Sequence, residues 1–256
     1  MIHETVVISN GAQFDDSVTI GPYSIIGPDV SIASGTIIES HVVITGRTKI
    51  GQDNHIYSFS SIGDHPQDMK YKGEDTELEI GDRNTIREYC TINKGTIQDT
   101  GVTRLGNDNW IMAYVHLAHD CQIGSNTIFA NNTTLAGHVE VGDYAIFGGF
   151  SGAHQFCKIG CHSFLGMYSG VSRDLPPYVI VTGQPAIPRG INLEGLKRRD
   201  FNPDQIRNIK TAYKYLYKSE LRLEEAQEKI AGLNEVSNEL QVMINFLKAS
   251  SRGIVR

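Results

Sequence analysis

The chain has 256 residues and is 40% hydrophobic, which is enough for a sizeable core, and its formal net charge of −6 argues against a nucleic-acid-binding protein. It has no run of about 18 apolar residues, which excludes a transmembrane helix and integral membrane contact, and it does not start like a signal peptide. The four cysteines show no paired zinc-type spacing, so we expect reduced thiols in a cytoplasmic protein.

From Ile8 to Val171 an apolar residue recurs every six positions, with two interruptions. A period of six fits neither a helix nor a single strand, but it is typical of a parallel β-helix, in which each short flat face turns one apolar side chain inward. Three hexads complete a triangular coil, so residues 18 apart should lie above one another. Small residues after the apolar position, as in Ile20-Gly21-Pro22, are expected to form the corners. The sequence therefore predicts a mainly β solenoid over residues 1–186.

The six-residue register breaks at about residues 64–79 and again at about residues 94–104. A solenoid core tolerates extra residues only on its outside, and loops that project from a rigid scaffold often carry function. We therefore expect two external loops, which are candidates for contact with a ligand or a partner.

Histidines cluster on three successive predicted coils. The 18-residue rule places His119 beneath Gly137 and Asp120 beneath His138. Imidazole is the side chain suited to proton transfer near neutral pH. The pattern predicts a site at one corner of the solenoid, formed by His116, His119, Asp120, Gly137, His138, His154 and Gln155.

Other uses of these histidines are possible. A single histidine on a solenoid is usually a surface residue, and three imidazoles can also form a catalytic zinc site. Alternation along a strand would turn His116 and His119 to opposite sides, which argues against zinc. Neither Cys121 nor Cys157 has an evident catalytic arrangement. The pattern favours direct attack with histidine as base, without a metal or a cofactor.

After residue 186 the period of six is lost. Residues 187–256 carry more Lys and Arg than Asp and Glu, most densely from Arg189 to Arg222, whereas residues 1–186 are acidic. A small helical domain here would cover the open end of the solenoid. Helix start signals and apolar spacing predict helices from Pro203 to about Lys218, from Leu223 to Leu233 and from Asn238 to Lys248.

Five segments resemble a known family: His116–Cys121, Ala130–Asn132, Leu135–Val139, His154–Phe156 and Asn192–Arg199. They are similar to the UDP-N-acetylglucosamine O-acyltransferases of lipid A biosynthesis, and the resemblance covers essentially the whole chain. Many acyltransferases share the hexapeptide repeat, whereas the first and last of these segments together are specific to this family.

The resemblance implies a left-handed parallel β-helix that forms a homotrimer with active sites between subunits. The implied reaction transfers a (3R)-3-hydroxyacyl group from acyl carrier protein to the 3-hydroxyl of UDP-N-acetylglucosamine. His119 would be the general base, Asp120 would orient or polarise it, and the Gly137 N–H would face the developing oxyanion. The matched positions that would surround substrate are Gln67, Asp68, Lys70, His116, His138, His154, Gln155, Asn192, Glu194, Arg198 and Arg199.

Two of these groups imply contacts with partners. Gln67, Asp68 and Lys70 belong to the first external loop, which would reach into the site of the adjacent subunit. Lys70 and the arginines suit phosphate, and the basic region 187–222 would receive the acidic carrier protein.

Met167 bears on the length of the acyl chain, because the family's acyl groove passes its position. A glycine there would leave room for a longer tail, whereas methionine fills the space of several methylenes, each worth about 0.8 kcal/mol when buried. We expect preference for a chain of about ten carbons, unless Met167 only packs. Pro185 stands where some members carry histidine near the nucleotide, so that contact is not expected here.

Three other functions fit parts of the pattern. A sister enzyme that N-acylates a later intermediate normally has an extra N-terminal domain, for which a repeat beginning by Ile8 leaves no room. A zinc lyase on a β-helix would contain metal, and a non-enzymatic scaffold would tolerate replacement of His119. The sequence leaves open the exact acyl length, any regulation, and whether a 3-amino sugar nucleotide is the preferred acceptor.

Overall fold

The computed structural model describes residues 1–233 and 237–256. Short strands occupy the chain as far as residue 191, and helices follow. The strands are β1 (Val7–Ile8), β2 (Gln13–Phe14), β3 (Thr19–Ile20), β4 (Ile25–Ile26), β5 (Val30–Ile32), β6 (Ile37–Ile38), β7 (Val43–Ile44), β8 (Arg47–Ile50), β9 (His55–Ile56), β10 (Ser61–Asp64), β11 (Glu77–Ile80), β12 (Thr85–Ile86), β13 (Thr91–Asn93), β14 (Val102–Leu105), β15 (Trp110–Ile111), β16 (His116–Leu117), β17 (Gln122–Ile123), β18 (Ile128–Phe129), β19 (Thr134–Leu135), β20 (Glu140–Val141), β21 (Ile146–Phe147), β22 (Gly152–Ala153), β23 (Lys158–Ile159), β24 (Phe164–Leu165), β25 (Gly170–Val171), β26 (Val179–Thr182) and β27 (Ile187–Ile191). The helices are α1 (Leu193–Lys197), α2 (Pro203–Tyr217), α3 (Leu223–Ala231) and α4 (Asn238–Ala249).

The strands form three sheets, because the chain visits each sheet in turn. The first sheet contains every third strand from β1 to β25, the second every third strand from β2 to β23, and the third every third strand from β3 to β24 together with β26 and β27. Neighbouring strands are parallel, except that β26 and β27 are antiparallel. Where no loop intervenes, residues 18 apart lie side by side, as Leu117 does with Leu135. The predicted three-sided spiral is therefore confirmed.

The core is a continuous column of the apolar residues that recur every six positions. Ile20, Ile38, Ile56 and Ile86 lie above one another and are at most 1% exposed. Burying such an aliphatic side chain is worth about 1.5–3 kcal/mol. Because each coil covers the core of the next, the repeat holds the outer surface of the spiral rigidly in register.

The corners differ in one respect from the prediction. Gly21 does not take up the left-handed conformation; instead, a Cβ there would be 2.8 Å from the backbone carbon of Glu39, so glycine is required by the close approach of the next coil. The left-handed residue is Tyr23, with φ of 61°. Aromatic residues occupy many such positions and stack between coils, as Tyr89 and Tyr114 do at 4.8 Å. Stacking offsets the strain of a non-glycine residue in this region.

The helical region covers the last coils of the spiral. The Asn202 side chain accepts hydrogen bonds from the N–H groups of Asp204 and Gln205 at the start of α2. The three predicted helices are confirmed as α2, α3 and α4, with ends one or two residues from those expected. Tyr213 and Val255 join the core of the solenoid. Within the described ranges, every helix is too short or too polar to span a bilayer.

The two long connections between strands are residues 65–76, between β10 and β11, and residues 94–101, between β13 and β14. Both begin at the corner that follows the first sheet. The sheets continue to Ile191, and the division of the chain into domains at residues 1–186 and 187–256 stays a prediction.

Candidate active site

The predicted histidine cluster lies at one corner, between the first and second sheets. The His138 N–H donates to the carbonyl of His119 over 3.0 Å, and the Phe156 N–H donates to the carbonyl of Gly137 over 3.2 Å. Nδ1 of His138 lies 3.8 Å from Oδ2 of Asp120. These contacts cross from one coil to the next, so the predicted stacking of His119 beneath Gly137 and of Asp120 beneath His138 is confirmed.

His119 and Asp120 form a hydrogen-bonded pair at the centre of this corner. Nδ1 of His119 lies 2.8 Å from Oδ2 of Asp120. An ionised carboxylate can only accept, so Nδ1 carries the hydrogen and Nε2 keeps its lone pair. The Asp120 side chain is fully buried, whereas 13% of the His119 side chain is exposed. The imidazole is therefore the member of the pair that a ligand can reach.

Residues of the second external loop hold Asp120 in place. Its carboxylate accepts from the Thr96 hydroxyl at 2.7 Å and from the Thr96 N–H at 2.9 and 3.1 Å. The N–H of Asp120 donates to the Thr103 hydroxyl over 2.7 Å. Burial acts to raise the pKa of Asp120, but the hydrogen bonds from His119 and Thr96 outweigh it and lower that pKa below its ordinary value. Asp120 is therefore negatively charged at neutral pH.

Sequence reasoning missed Thr96 and Thr103. The available signal was their position in or beside the second insertion, where residues have no place in the six-residue core pattern. Neither residue type is specific enough to be singled out without the fold.

Gly137 lies against the His119 ring. A Cβ on Gly137 would be 2.5 Å from Cε1 and 2.7 Å from Nε2 of His119, far inside contact distance, so any side chain here would displace the imidazole. Gly137 is buried. Among the hydrogen bonds of the described residues, none uses its N–H as donor. The expected donation of this N–H to a group bound beside His119 stays a prediction.

His138 is fixed from three sides. Its ring stacks on Phe156 with centroids 4.3 Å apart, and it meets the His119 ring edge-on at 4.9 Å. Its Nδ1 lies 2.8 Å from Oδ2 of Asp99, a residue of the second external loop that sequence reasoning also missed.

His116 lies on β16, three residues before His119. Its Nδ1 lies 2.7 Å from the Thr91 hydroxyl of the coil below. Burial and, to a smaller extent, the neighbouring His119 lower the pKa of His116, so it is neutral at pH 7. β16 ends at Leu117, so His119 lies in the corner that follows the strand, and the expectation that the two side chains face opposite sides stays a prediction.

His154 and Gln155 complete the corner on the third coil, and both are exposed. Nδ1 of His154 contacts the Gln155 carbonyl at 3.2 Å. His154 also lines an open groove of about 480 Å³ on the first sheet, and Pro185 lines the same groove. The groove is lined mainly by apolar and small residues, among them Thr134, Ala136, Phe150, Gly152, Tyr168 and Gly170.

The first external loop leaves the same corner two coils before His119. Gln67 and Lys70 are exposed, and the Asp68 carboxylate accepts from the Lys70 N–H at 2.9 Å. No hydrogen bond or ion pair between described residues joins these three side chains to the histidine corner. The approach of this loop to the site of an adjacent subunit stays a prediction.

The segment from Asn192 to Arg199 lies at a different corner, between the second and third sheets. The Asn192 side chain accepts from the Gly195 N–H and donates to the His162 carbonyl, so within the chain it caps α1. The Arg199 guanidinium lies 4.6 Å from the centre of the Tyr144 ring, and burial lowers its pKa. Glu194 pairs with Lys197, and Arg198 is exposed.

A metal ion and a cysteine nucleophile are the alternatives for this corner. His119, Asp120 and His138 offer ligand atoms within 4.8 Å of one another. However, the Asp120 oxygens already accept from Thr96 and His119, so the arrangement fits a hydrogen-bonded pair better than a metal shell. Burial raises the pKa of the Cys121 thiol to about 12 and that of Cys157 to about 11, which makes both poor nucleophiles.

Comparison with known proteins adds independent information. Residues 174–255 match the family described as UDP N-acetylglucosamine O-acyltransferase, domain 2, and residues 12–46 and 103–137 match the bacterial transferase hexapeptide repeat. The acyl-[acyl-carrier-protein]–UDP-N-acetylglucosamine O-acyltransferases of Herminiimonas arsenicoxydans and Thiobacillus denitrificans are 53% and 55% identical, with 100% of this chain and 99% of each relative covered.

Solved structures agree. The UDP-N-acetylglucosamine O-acyltransferase of Moraxella catarrhalis superposes with a TM-score of 0.98 at 45% identity, over 100% of this chain and 99% of that one. That of Francisella novicida gives 0.98 at 44% identity, over 100% and 94%. The fold is therefore the predicted left-handed parallel β-helix with a small α-helical part at its end.

Proposed function

Because this chain belongs to the acyl-[acyl-carrier-protein]–UDP-N-acetylglucosamine O-acyltransferase family, we propose that it transfers a (3R)-3-hydroxyacyl group from acyl carrier protein to the 3-hydroxyl of UDP-N-acetylglucosamine. It is an acyl-carrier-protein-dependent O-acyltransferase, and the reaction is the first step of lipid A biosynthesis. The observation that carries the residue assignment is the buried Asp120 bonded to a reachable His119 directly beneath Gly137.

His119 acts as the general base. With Nδ1–H donated to Asp120, Nε2 is free to take the proton of the sugar 3-hydroxyl as that oxygen attacks the thioester carbonyl. When the tetrahedral intermediate collapses, the C–S bond breaks and the departing thiolate recovers the proton from His119. A positioned base of this kind contributes about 10²–10⁴ to the rate.

Asp120 keeps the imidazole in the required tautomer. Its lowered pKa means that it stays ionised while His119 gains a proton, so it stabilises the imidazolium ion that forms. The Thr96 hydroxyl and N–H hold the carboxylate still during this change.

Gly137 stabilises the developing oxyanion. Its N–H has no acceptor among the described residues, and the glycine lies within contact of the base. A preorganised donor of this kind is worth about 3 kcal/mol in typical acyl transfer. The same residue therefore leaves room for the base and supplies the donor.

The remaining predicted contacts require a second chain. The histidine corner and the corner that carries Asn192 and Arg199 are separated within one chain by the second sheet. In a homotrimer the site of one subunit faces residues of the next, so Asp68 and Lys70 of one chain and Arg198 and Arg199 can contact one UDP-sugar. His116, His138, His154 and Gln155 line the same cleft, and Gln67 and Glu194 complete its rim.

The open groove beside His154 suits the acyl chain, because its wall is mostly apolar and Gly152 in that wall carries no side chain. Met167 is 60% exposed and directly precedes Tyr168, which lines the groove. We place Met167 at the far end of the acyl chain, where it favours donors of about ten carbons over longer ones.

The excess of Lys and Arg in residues 187–222 suits docking of an acidic carrier protein. Such a carrier and a sugar nucleotide are cytoplasmic substrates, and we place the enzyme in the cytoplasm.

Replacing His119 with alanine tests the assignment. Transfer from 3-hydroxyacyl carrier protein to UDP-N-acetylglucosamine should fall by about 10²–10⁴ in kcat, with an unchanged circular dichroism spectrum and Tm. His41→Ala is a matched control, because His41 is an exposed, left-handed corner residue of the same solenoid. Equal activity of the His119 variant and the control would refute the role of His119 as base. The same assay with the 3-amino acceptor decides which sugar is preferred.

A further inference from the structure

The second external loop contacts both imidazoles of the histidine corner, but through different residues. Thr96 binds Asp120, which pairs with His119. Three residues further on, Oδ2 of Asp99 lies 2.8 Å from Nδ1 of His138, a contact between residues 39 apart in the chain. The loop therefore supplies the carboxylate beside His138 and holds in place the Asp120 carboxylate beside His119.

The contact with Asp99 decides the chemical form of His138. A carboxylate can only accept, so Nδ1 of His138 carries hydrogen and Nε2 is left as the free ring nitrogen. The ring is 8% exposed, stacks on Phe156 and meets His119 edge-on, which limits its movement. Its remaining polar atom, Nε2, is therefore presented to whatever occupies the cleft.

Asp99 also keeps the two imidazoles from competing for one carboxylate. Nδ1 of His138 is 3.8 Å from Oδ2 of Asp120, the same oxygen that accepts from Nδ1 of His119 at 2.8 Å. Without Asp99, Nδ1 of His138 would have no acceptor within hydrogen-bond distance among the described residues, so both ring tautomers would be populated, and only a ring rotated toward Asp120 would keep its Nδ1–H. A small rotation toward it would draw Asp120 away from the base.

We propose that Asp99 is a positioning residue. It fixes the tautomer and orientation of His138 so that Nε2 accepts a hydrogen bond from a hydroxyl of the acceptor sugar. It also leaves the Asp120 carboxylate to pair with His119 alone. This inference rests on the proposed function, because it assigns His138 to the sugar side of that same site. Asp99 itself is 43% exposed and lies on the outer side of His138, so it acts through the imidazole.

The experiment compares Asp99→Ala with Asp99→Asn in the full-length protein. An asparagine oxygen can still accept from Nδ1–H, so the conservative variant should restore most of what alanine removes. We expect Asp99→Ala to lower kcat/KM for UDP-N-acetylglucosamine by about tenfold, and Asp99→Asn to lie within about twofold of the wild type. Gln98→Ala is the control for the loop, since Gln98 is the exposed neighbour of Asp99.

Nitrogen-15 NMR of labelled histidine supplies a readout that a merely structural role would not move. The His138 signals, assigned with His138→Gln, should show a protonated Nδ1 in the wild type and in Asp99→Asn, and a mixed tautomer in Asp99→Ala. An unchanged tautomer in Asp99→Ala would overturn the proposal, as would an equal loss of activity in Gln98→Ala. Because the tautomer is read without turnover, this result is separate from the His119→Ala assay, which tests the proposed function.

Discussion

Gly137→Ala is the sharpest perturbation that the site offers, because it adds one carbon directly against the proposed base. The new Cβ would lie 2.5 Å from Cε1 of His119, whereas ordinary contact begins at 3.4 Å, so the ring must move by roughly 1 Å. A misplacement of this size costs about 10²-fold in rate, which corresponds to about 2.7 kcal/mol of barrier. Gly137 has no left-handed φ, so backbone strain adds nothing to this figure.

Steady-state acyl transfer at saturating UDP-N-acetylglucosamine measures the effect, and it should appear in kcat rather than in KM. Gly27→Ala is the matched control, because it crowds a solenoid corner far from the histidines, with its Cβ 3.2 Å from the Thr45 backbone. We expect the control to retain its kcat, with any change confined to Tm.

Near-normal kcat in Gly137→Ala would refute the placement of His119 as base beneath a glycine. The added Cβ must displace the imidazole, so a base in that position would have lost activity. A drop of equal size in Gly27→Ala would instead assign the effect to general disturbance of the coil.

Four further predictions concern Asp120, its pH dependence, a metal ion and Met167. In Asp120→Asn, kcat should fall by about 10²–10⁴, because Thr96 donates to the asparagine oxygen, which turns the amide NH2 toward Nδ1 of His119, and because the charge that stabilises the imidazolium is lost. The pKa of Asp120 in the folded protein lies below its ordinary value of 3.8. The ionised carboxylate therefore stabilises the fold above pH 3.8, and this stabilisation is lost as the pH falls from 3.8 toward the folded pKa. The difference in urea-unfolding free energy between wild type and Asp120→Asn should therefore narrow between about pH 5 and pH 3, and a constant difference would contradict the assignment. Incubation with EDTA should leave transfer unchanged, because the Asp120 oxygens are occupied by Thr96 and His119; loss of activity that zinc restores would assign a metal to this corner. Met167→Gly should raise the ratio of kcat/KM for long against short 3-hydroxyacyl donors, and an unchanged ratio would remove Met167 as a determinant of chain length.

Much of the site can be predicted from the repeat, because residues that stack in a solenoid are separated by a fixed number of positions. Between β16 and β25 no loop intervenes, so every 18 residues the chain returns to the same corner. The pairs His119 with Gly137 and Asp120 with His138 could therefore be predicted without coordinates, and the structure has them so.

The spacing of 18 residues per coil does not apply to the external loops. Residues 94–101 lack the apolar period, so nothing in their order indicates which coil they fold back upon. Thr96 meets Asp120 across 24 positions and Asp99 meets His138 across 39, and neither separation is a multiple of the coil. Thr96, which holds Asp120, and Asp99, the partner of His138, were for that reason missed.

The order of the residues by itself determined the spiral, its inward apolar column and the imidazoles that share a corner, because burying one side chain per hexad leaves a single repeating register. Only the tertiary structure decided which loop residues hold Asp120 and His138, that Gly21 is required by a close approach, and that Asn192 and Arg199 lie at another corner. These depend on distances between coils and on where unpatterned loops return, which local periodicity does not encode.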